Sequence, residues 1–326
     1  MKHLVKPALF FASAATLLSL LTGCGGSSKE NEGEDGKLKG TISLSGAFAL
    51  YPLAVVWGEE FKKIHPDVRV EVSAGGAGKG MVDVLSGNVD LGMISRDVNP
   101  QETEKGAWPI SVAKDAVIPT INANNPELET ILKKGLTQQN FTDVWITGSA
   151  STWGSLTGSG SKEVIQAYTR SDAGGAAETW AKYLGGKKQE DLKGVGVYGD
   201  PGLAEAVKKD KNGLGYNNIA YVYNNATKKP NEGIIPIPID INGNGSIDAD
   251  ENFYGSQDSL TKAIAEGKYP SPPARELYLV SNGKPKTQLV QEFLKWILTD
   301  GQKQVASAGY VTISDEKLKA EQEKLK

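Results

Sequence analysis

Apolar positions along this chain recur with two periods, and the two periods alternate. Residues 40–45 (GTISLS) switch apolar and polar in turn, as a half-buried strand does. Leu53, Val56, Trp57, Phe61 and Ile64 then fall on one face of a helix over residues 51–64. Residues 67–73 (DVRVEVS) alternate again, residues 80–85 read as a helix, and residues 89–94 as a buried strand. That order, strand-helix-strand-helix-strand, predicts a largely parallel sheet. Further strands are expected over 112–122, long enough to pass between two lobes, and over 164–169 and 195–198. Helices are expected over 176–184, stopped by Gly185, and over 257–266. Near the C-terminus Leu289, Phe293 and Ile297, with Val290, Leu294 and Leu298, define an apolar stripe that Gly301 ends. Residues 314–326 are highly charged and read as a frayed helix.

The first 24 residues follow another rule. Lys2 and Lys6 precede an apolar run over 7–21, too short for a span of about 20 residues but of the right length for a signal-peptide core. The run closes on Leu21-Thr22-Gly23-Cys24, which resembles a bacterial lipobox, with cleavage before Cys24 and a lipid on its thiol. Cys24 is the only cysteine of the 326 residues, so intramolecular disulfides and thiolate zinc sites are excluded. Residues 25–37 (GGSSKENEGEDGK) contain no apolar side chain and read as a solvated tether, within a flexible segment 24–38. Loss of 1–23 removes two of the 36 basic residues and leaves a net charge of −5 against 39 acids, a poor match for nucleic acid.

Three segments repeat one design. Ser45-Gly46-Ala47-Phe48-Ala49-Leu50-Tyr51-Pro52, Ser73-Ala74-Gly75-Gly76-Ala77-Gly78-Lys79-Gly80 and Thr169-Arg170-Ser171-Asp172-Ala173-Gly174-Gly175-Ala176 each run from a strand end through glycine into a helix. The first turn of a helix presents unpaired N–H groups and a partial positive charge, and glycine lets an anion approach them. Ser95-Arg96-Asp97 follows the third strand and adds a hydroxyl, a guanidinium and a carboxylate. Together these segments predict an oxyanion cradle at the C-terminal edges of the strands. The GGAGKG run is not a nucleotide-binding P-loop, because Gly80 follows Lys79 where Ser or Thr is needed.

SGAFALYPL, SAGGAGKGM, VDLGMISRDV, YTRSDAGGAAETW and YPSPPARELYLV together resemble phosphate-binding proteins of the PstS type, among the type II periplasmic binding proteins, over roughly residues 39–310. The resemblance implies an α/β fold of two lobes, each on a central mixed, mostly parallel sheet, with the ligand cleft between them. Residues 39–114 with 257–326 would form lobe 1, and 115–256 lobe 2. It implies ligand contacts at Ala49, Leu50, Tyr51, Ala77, Gly78, Ser95, Arg96, Arg170, Gly174, Gly175 and Ala176. It also implies phosphate delivery to an ABC permease by a monomer that performs no catalysis and touches the membrane only through its lipid. The family usually carries hydroxyl side chains near Leu50 and at Ala77, Gly174 and Ala176. Their absence here leaves molybdate, tungstate or sulfate as alternative ligands of the same fold, and a surface scaffold or adhesion lipoprotein with a vestigial cleft as an alternative role. A carboxylate acceptor at Asp97 or Asp172 would favour hydrogen phosphate over sulfate.

A further motif lies at residues 240–251. Asp240, Asn242, Asn244, Gly245, Ser246, Ile247, Asp248 and Glu251 satisfy every position of the EF-hand calcium loop. The proline-containing segment 233–239 before it reads as a strand, so a structural Ca²⁺ loop outside a true EF-hand is expected. Only His3 and His65 are present, which removes the material for Ser-His-Asp or His-rich metal catalysis. The six tryptophans (57, 108, 145, 153, 180, 296) would suit sugar stacking, but fall in strand and helix patterns that predict packing.

Overall fold

The computed structural model describes residues 37–326. The expected signal peptide, Cys24 and most of the expected tether lie outside the described residues. Nine strands form one sheet, eight of them in the order β2-β1-β3-β9-β4-β7-β5-β6, with β8 off this path beside β4. They span Gly40–Gly46 (β1), Val68–Ala74 (β2), Leu91–Ile94 (β3), Ala107–Asn122 (β4), Gln166–Arg170 (β5), Val195–Val197 (β6), Gly213–Asn218 (β7), Ile234–Pro236 (β8) and Ala274–Asn282 (β9). β1 runs parallel to β2 and β3, and β5 parallel to β6 and β7. Two long antiparallel strands, β4 and β9, join the two groups. The structure is thus mixed α/β, with parallel strands on either side of a shared antiparallel pair.

The core is divided in two. One hydrophobic cluster takes residues from Leu38 to Ala113 and from Leu277 to Leu325. The other takes residues from Ala116 to Ala274, with Val311. β4 passes from one cluster to the other between Ala113 and Ala116. The return passage is in β9, between Ala274 and Leu277, rather than at 256/257 as expected. The reason is the Gln257–Ala265 helix: Leu260, Ala263 and Ile264, with Tyr269 after it, are buried with the second cluster.

Local sequence explains the elements nearest the cleft. The Tyr51–Ile64 helix starts with Pro52 in its first turn, where the missing N–H is harmless, and buries Leu53, Trp57 and Phe61. The Ala77–Leu85 helix starts three residues earlier than its periodicity predicts. Gly80 lies against Gly46 and Met93, where a Cβ would sit 2.7 Å from Gly46 Cα and 2.9 Å from Met93 O, so the glycine allows the helix to lie directly on β1 and β3. The charged tail forms an ordered Asp315–Lys324 helix. Glu321 is 1% exposed there, ion-paired to Lys317 and Lys324, and Ser314 caps the first turn. Trp57, Trp145, Trp153 and Trp180 are fully buried, and Trp108 and Trp296 pack against the core, so the tryptophans serve the interior. Among the described residues no helix is long and apolar enough to cross a membrane.

Candidate functional site

The ends of β1, β2 and β3 on one side, and of β5 and β6 on the other, face each other across the crossing strands. At this edge the glycine turns of the two halves touch. Gly78 N donates to Ala173 O at 3.1 Å. A Cβ on Gly76 would lie 2.7 Å from Asp172 Oδ2, and one on Gly78 would lie 2.5 Å from Ala173 Cβ. A Cβ on Gly175 would meet Ser95 Oγ at 2.3 Å. The segments holding Ala77 and Gly78, Ser95, and Gly174, Gly175 and Ala176 are therefore brought together. The first turns of the Ala77–Leu85 and Gly175–Tyr183 helices meet there, each with amides that have no partner within the helix.

Arg170 ends β5 beneath this junction, and its side chain is 2% exposed. Nε donates to Asp172 Oδ1 at 2.8 Å, Nη2 pairs with the other oxygen of Asp172, and Nη1 pairs with Asp200. Burial alone would lower the pKa of this guanidinium, but Asp200 and Asp172 outweigh it and hold the group above its ordinary value. Asp172 shows the mirror pattern: burial acts to raise its carboxyl, and Arg170 with the Gly199 amide brings it below the usual range. Gly174 lies over the guanidinium, since a Cβ there would come within 2.9 Å of Cζ. Phe48 reaches over from the first half, its ring centroid 5.3 Å from Arg170 Cζ, within cation–π range.

Arg96 is placed differently. It donates to both oxygens of Glu102, at 2.8 and 2.7 Å, and to the Asp97 carbonyl at 2.9 Å. Its Nε lies 3.1 Å from Glu178 on the Gly175–Tyr183 helix. Burial opposes its charge, and Glu102 and Glu178 restore it. Arg96 lines a cavity of about 840 Å³ that also takes in Glu178, Thr179, Lys182, Arg275 and Tyr278. Arg170 is not part of that wall. The two arginines named from the sequence thus occupy separate surroundings, Arg170 under the glycine junction and Arg96 at its flank.

Ala49, Leu50 and Tyr51 open the first helix. Ala49 and Leu50 are fully buried, and Ala49 O accepts from Tyr310 Oη at 2.7 Å. The amides of Leu50 and Tyr51 are bonded back to Ala47 O, at 3.1 and 3.2 Å. From this turn, Phe48 is the side chain that touches Arg170. The two carboxylates left open by the sequence also separate: the Asp97 side chain is 72% exposed and pairs with Lys182, whereas that of Asp172 is 8% exposed at the junction.

Sequence reasoning missed three site residues: Phe48, Asp200 and Arg275. Arg275, on β9, donates from Nη1 to Gly175 O at 2.6 Å and Thr179 Oγ1 at 2.9 Å, and its Nη2 contacts Asp115 and Asn218. Asn218 in turn donates to Asp200 at 2.6 Å. A continuous chain of polar contacts therefore runs from the crossing strands to Arg170. The signal available was a charged residue within each of two apolar strands, Asp115 in β4 and Arg275 in β9.

The loop at 240–251 is closed on itself. Asp240 accepts from the amides of Gly243, Asn244 and Gly245, and Glu251 from those of Ile241, Asn242 and Asp248. Ser246 N donates to Asn244 Oδ1. The segment before it is β8, not a helix.

The sequence matches the family model for the PBP superfamily domain over residues 31–301. It is 24% identical over 324 residues to the phosphate-binding protein PstS of Staphylococcus saprophyticus, covering 97% of this chain and 93% of that protein. The fold matches a solved structure from Clostridium perfringens, assigned as a phosphate ABC transporter substrate-binding protein with bound phosphate. The TM-score is 0.68 at 22% identity, over 84% of this chain and all of that one. It also matches an ABC-type phosphate transport receptor from Vibrio cholerae, with a TM-score of 0.60 at 18% identity, over 83% of this chain and all of that one. With the family match spanning most of its length and the two-lobed fold in agreement, this chain belongs to the PBP superfamily.

Proposed function

We propose that this protein binds phosphate outside the cytoplasm and presents it to an ABC permease. The observation that carries this reading is the Arg170–Asp172 pair beneath the meeting point of two helix N-termini. Amides and a guanidinium attract a tetrahedral oxyanion, while a carboxylate at the same place repels one that has no proton to share. Hydrogen phosphate offers such a proton and sulfate does not. Relatives that match nearly the whole chain are named as phosphate-binding proteins, which supports the same ligand.

In this reading the ligand enters with the lobes apart, β4 and β9 act as the hinge, and closure desolvates the anion. The donors are the first-turn amides of Ala77, Gly175 and Ala176, the Ser95 hydroxyl and Arg170, while the amides of Gly78, Leu50 and Tyr51 are already taken by Ala173 O and Ala47 O and shape the turns around them. Arg96 serves from the flank. No bond of the ligand is made or broken. Residues 1–23 act as a signal peptide and Cys24 as the lipid anchor of a monomer.

Isothermal titration with phosphate, sulfate, molybdate and tungstate tests the reading. Phosphate binding at least tenfold tighter than sulfate is the expected result, and Asp172→Asn should narrow that ratio. Preference for molybdate or sulfate, or no anion binding at all, overturns it. Labelling with a radioactive fatty acid, abolished by Cys24→Ala, tests the anchor.

A further inference from the structure

We infer that residues 240–251 form a calcium site in the second half of the molecule, independent of the anion-binding reading. Two observations meet here. The first is the donor set: Asp240, Asn242 and Asn244 at loop positions one, three and five, the Ser246 carbonyl at seven, Asp248 at nine and Glu251 at twelve. Gly245, with φ at +77°, makes the sharp turn between them. All are oxygen donors, which suits a hard cation, and six donor residues closed by a glutamate with two oxygens to offer suit seven-coordinate Ca²⁺ better than octahedral Mg²⁺.

The second observation is charge. Asp240 and Glu251 are 3% and 4% exposed. No ion pair among the described residues reaches either of them, or Asp248. Buried carboxylates elsewhere in the molecule have a cation: Asp172 and Asp200 have Arg170, Asp115 has Arg275, and Glu321 has two lysines. Three backbone amides bond each of Asp240 and Glu251, but among the described residues no cationic side chain pairs with either. A buried charge needs a counter-charge or a metal.

The loop is also anchored as a binding loop needs to be. Ile247, at position eight, donates its amide to Lys133 O at 3.0 Å, and Asp240 N donates to Leu136 O at 3.2 Å. Glu251 leads through Phe253 and Tyr254 into the second core, where Tyr223 Oη donates to Tyr254 O. A bound ion would therefore clamp the Leu128–Lys134 helix to the strand and helix that flank the loop. It would stabilise that half without touching the cleft. An affinity in the range of extracellular calcium modules, roughly 10⁻⁴–10⁻³ M, fits such a structural role.

The test is calcium titration of the chelator-stripped full chain by calorimetry, with melting temperature followed in parallel. One Ca²⁺ per chain and a melting temperature that rises with calcium are expected. Glu251→Gln should weaken binding at least tenfold, whereas Asp250→Asn, an exposed change at the non-ligating eleventh position, should leave it intact. If Glu251→Gln does not fold, the exposed double variant Asn242→Ala/Asn244→Ala replaces it, with the same loss expected. Phosphate titration of each variant reports separately on the cleft. No calcium uptake by the wild type, or uptake unchanged in the ligand variants, overturns the inference.

Discussion

Asp115 and Arg275 stand directly opposite each other on the two crossing strands, β4 and β9, with Oδ2 and Nη2 3.3 Å apart. Few strand positions could place an ion pair so close to both halves at once. Arg275 also holds Gly175 O, the first residue of the helix whose N-terminus faces Asp172 and Arg170. Burial pushes the Asp115 carboxyl up to about 6, with Arg275 and backbone amides opposing. A carboxyl raised in the folded state binds a proton there that the unfolded chain, titrating near 4, has already released. Its contribution to stability is therefore greatest below about pH 4, declines as pH rises to about 6, and is flat above. Two units correspond to about 3 kcal/mol. Denaturant unfolding between pH 4 and 8 should show this decline. Asp115→Asn should abolish that slope while lowering stability at pH 7 by about 3–5 kcal/mol, because Arg275 is left buried without a counter-charge.

Gly175 marks where the halves press together. Its φ is not in the left-handed region, so alanine would be tolerated by the backbone. The obstruction is spatial: the new methyl would lie 2.3 Å from Ser95 Oγ and 2.6 Å from Ser95 O, atoms of the opposite half. Gly175→Ala should therefore hinder closure more than folding. A loss of at least tenfold in anion affinity, with a change in unfolding free energy of under about 1 kcal/mol, is expected. Gly255→Ala, where no atom lies within 4 Å, should alter neither.

The same cleft shows what a single sequence reveals and what it hides. The Tyr51–Ile64 helix and β2 were legible because their apolar spacing serves one core face each. Arg170 and Asp172 were legible because two opposite charges, separated by Ser171, stand between the end of a strand and a glycine turn. The Gly199–Lys209 helix escaped notice: two glycines and a proline fill its first turn, and its apolar face is only Leu203 and Val207 with small neighbours. With it went Asp200. β9 was hidden by the prolines before it and by Arg275 and Glu276 at its start, charges that make sense only beside Asp115 and Lys317. Sequence also cannot show that Glu102, in the Pro100–Glu104 helix, folds back to take the fork of Arg96.

Asp172 and Asp200 share Arg170, and removing the arginine leaves both buried. Arg170→Met keeps most of the volume but strands two carboxylates, which should destabilise the protein by about 3–5 kcal/mol and remove anion binding together. Adding Asp200→Asn to Arg170→Met should recover part of the stability but none of the binding. Thermal melts with phosphate titration in parallel would separate the two effects. Stability lost without recovery in the double variant would show that Asp200 is not the group left exposed to unpaired burial.

Two ion pairs cross between the halves in opposite senses. Arg96 reaches Glu178 at 3.1 Å, and Asp97 reaches Lys182 at 2.6 Å, with Glu178 and Lys182 one turn apart on one helix. Both pairs exist only while the 95–97 segment lies against that helix, so they favour the closed form. Their strengths differ. The Asp97 and Lys182 side chains are 72% and 57% exposed, and such a pair contributes about 0–1 kcal/mol and fades with salt. Lys182→Ala should therefore weaken anion binding less than about fivefold, with the effect gone at 1 M salt. Arg96 is 8% exposed and keeps Glu102 when Glu178 is lost, so Glu178→Gln should act on closure without leaving the guanidinium unpaired. Its effect should exceed that of Lys182→Ala and persist at 1 M salt, because a shielded pair is screened less. Titrations of both variants at low and high salt check this. Equal effects that vanish together would mean that Arg96 and Glu178 contribute no more than their exposed neighbours do.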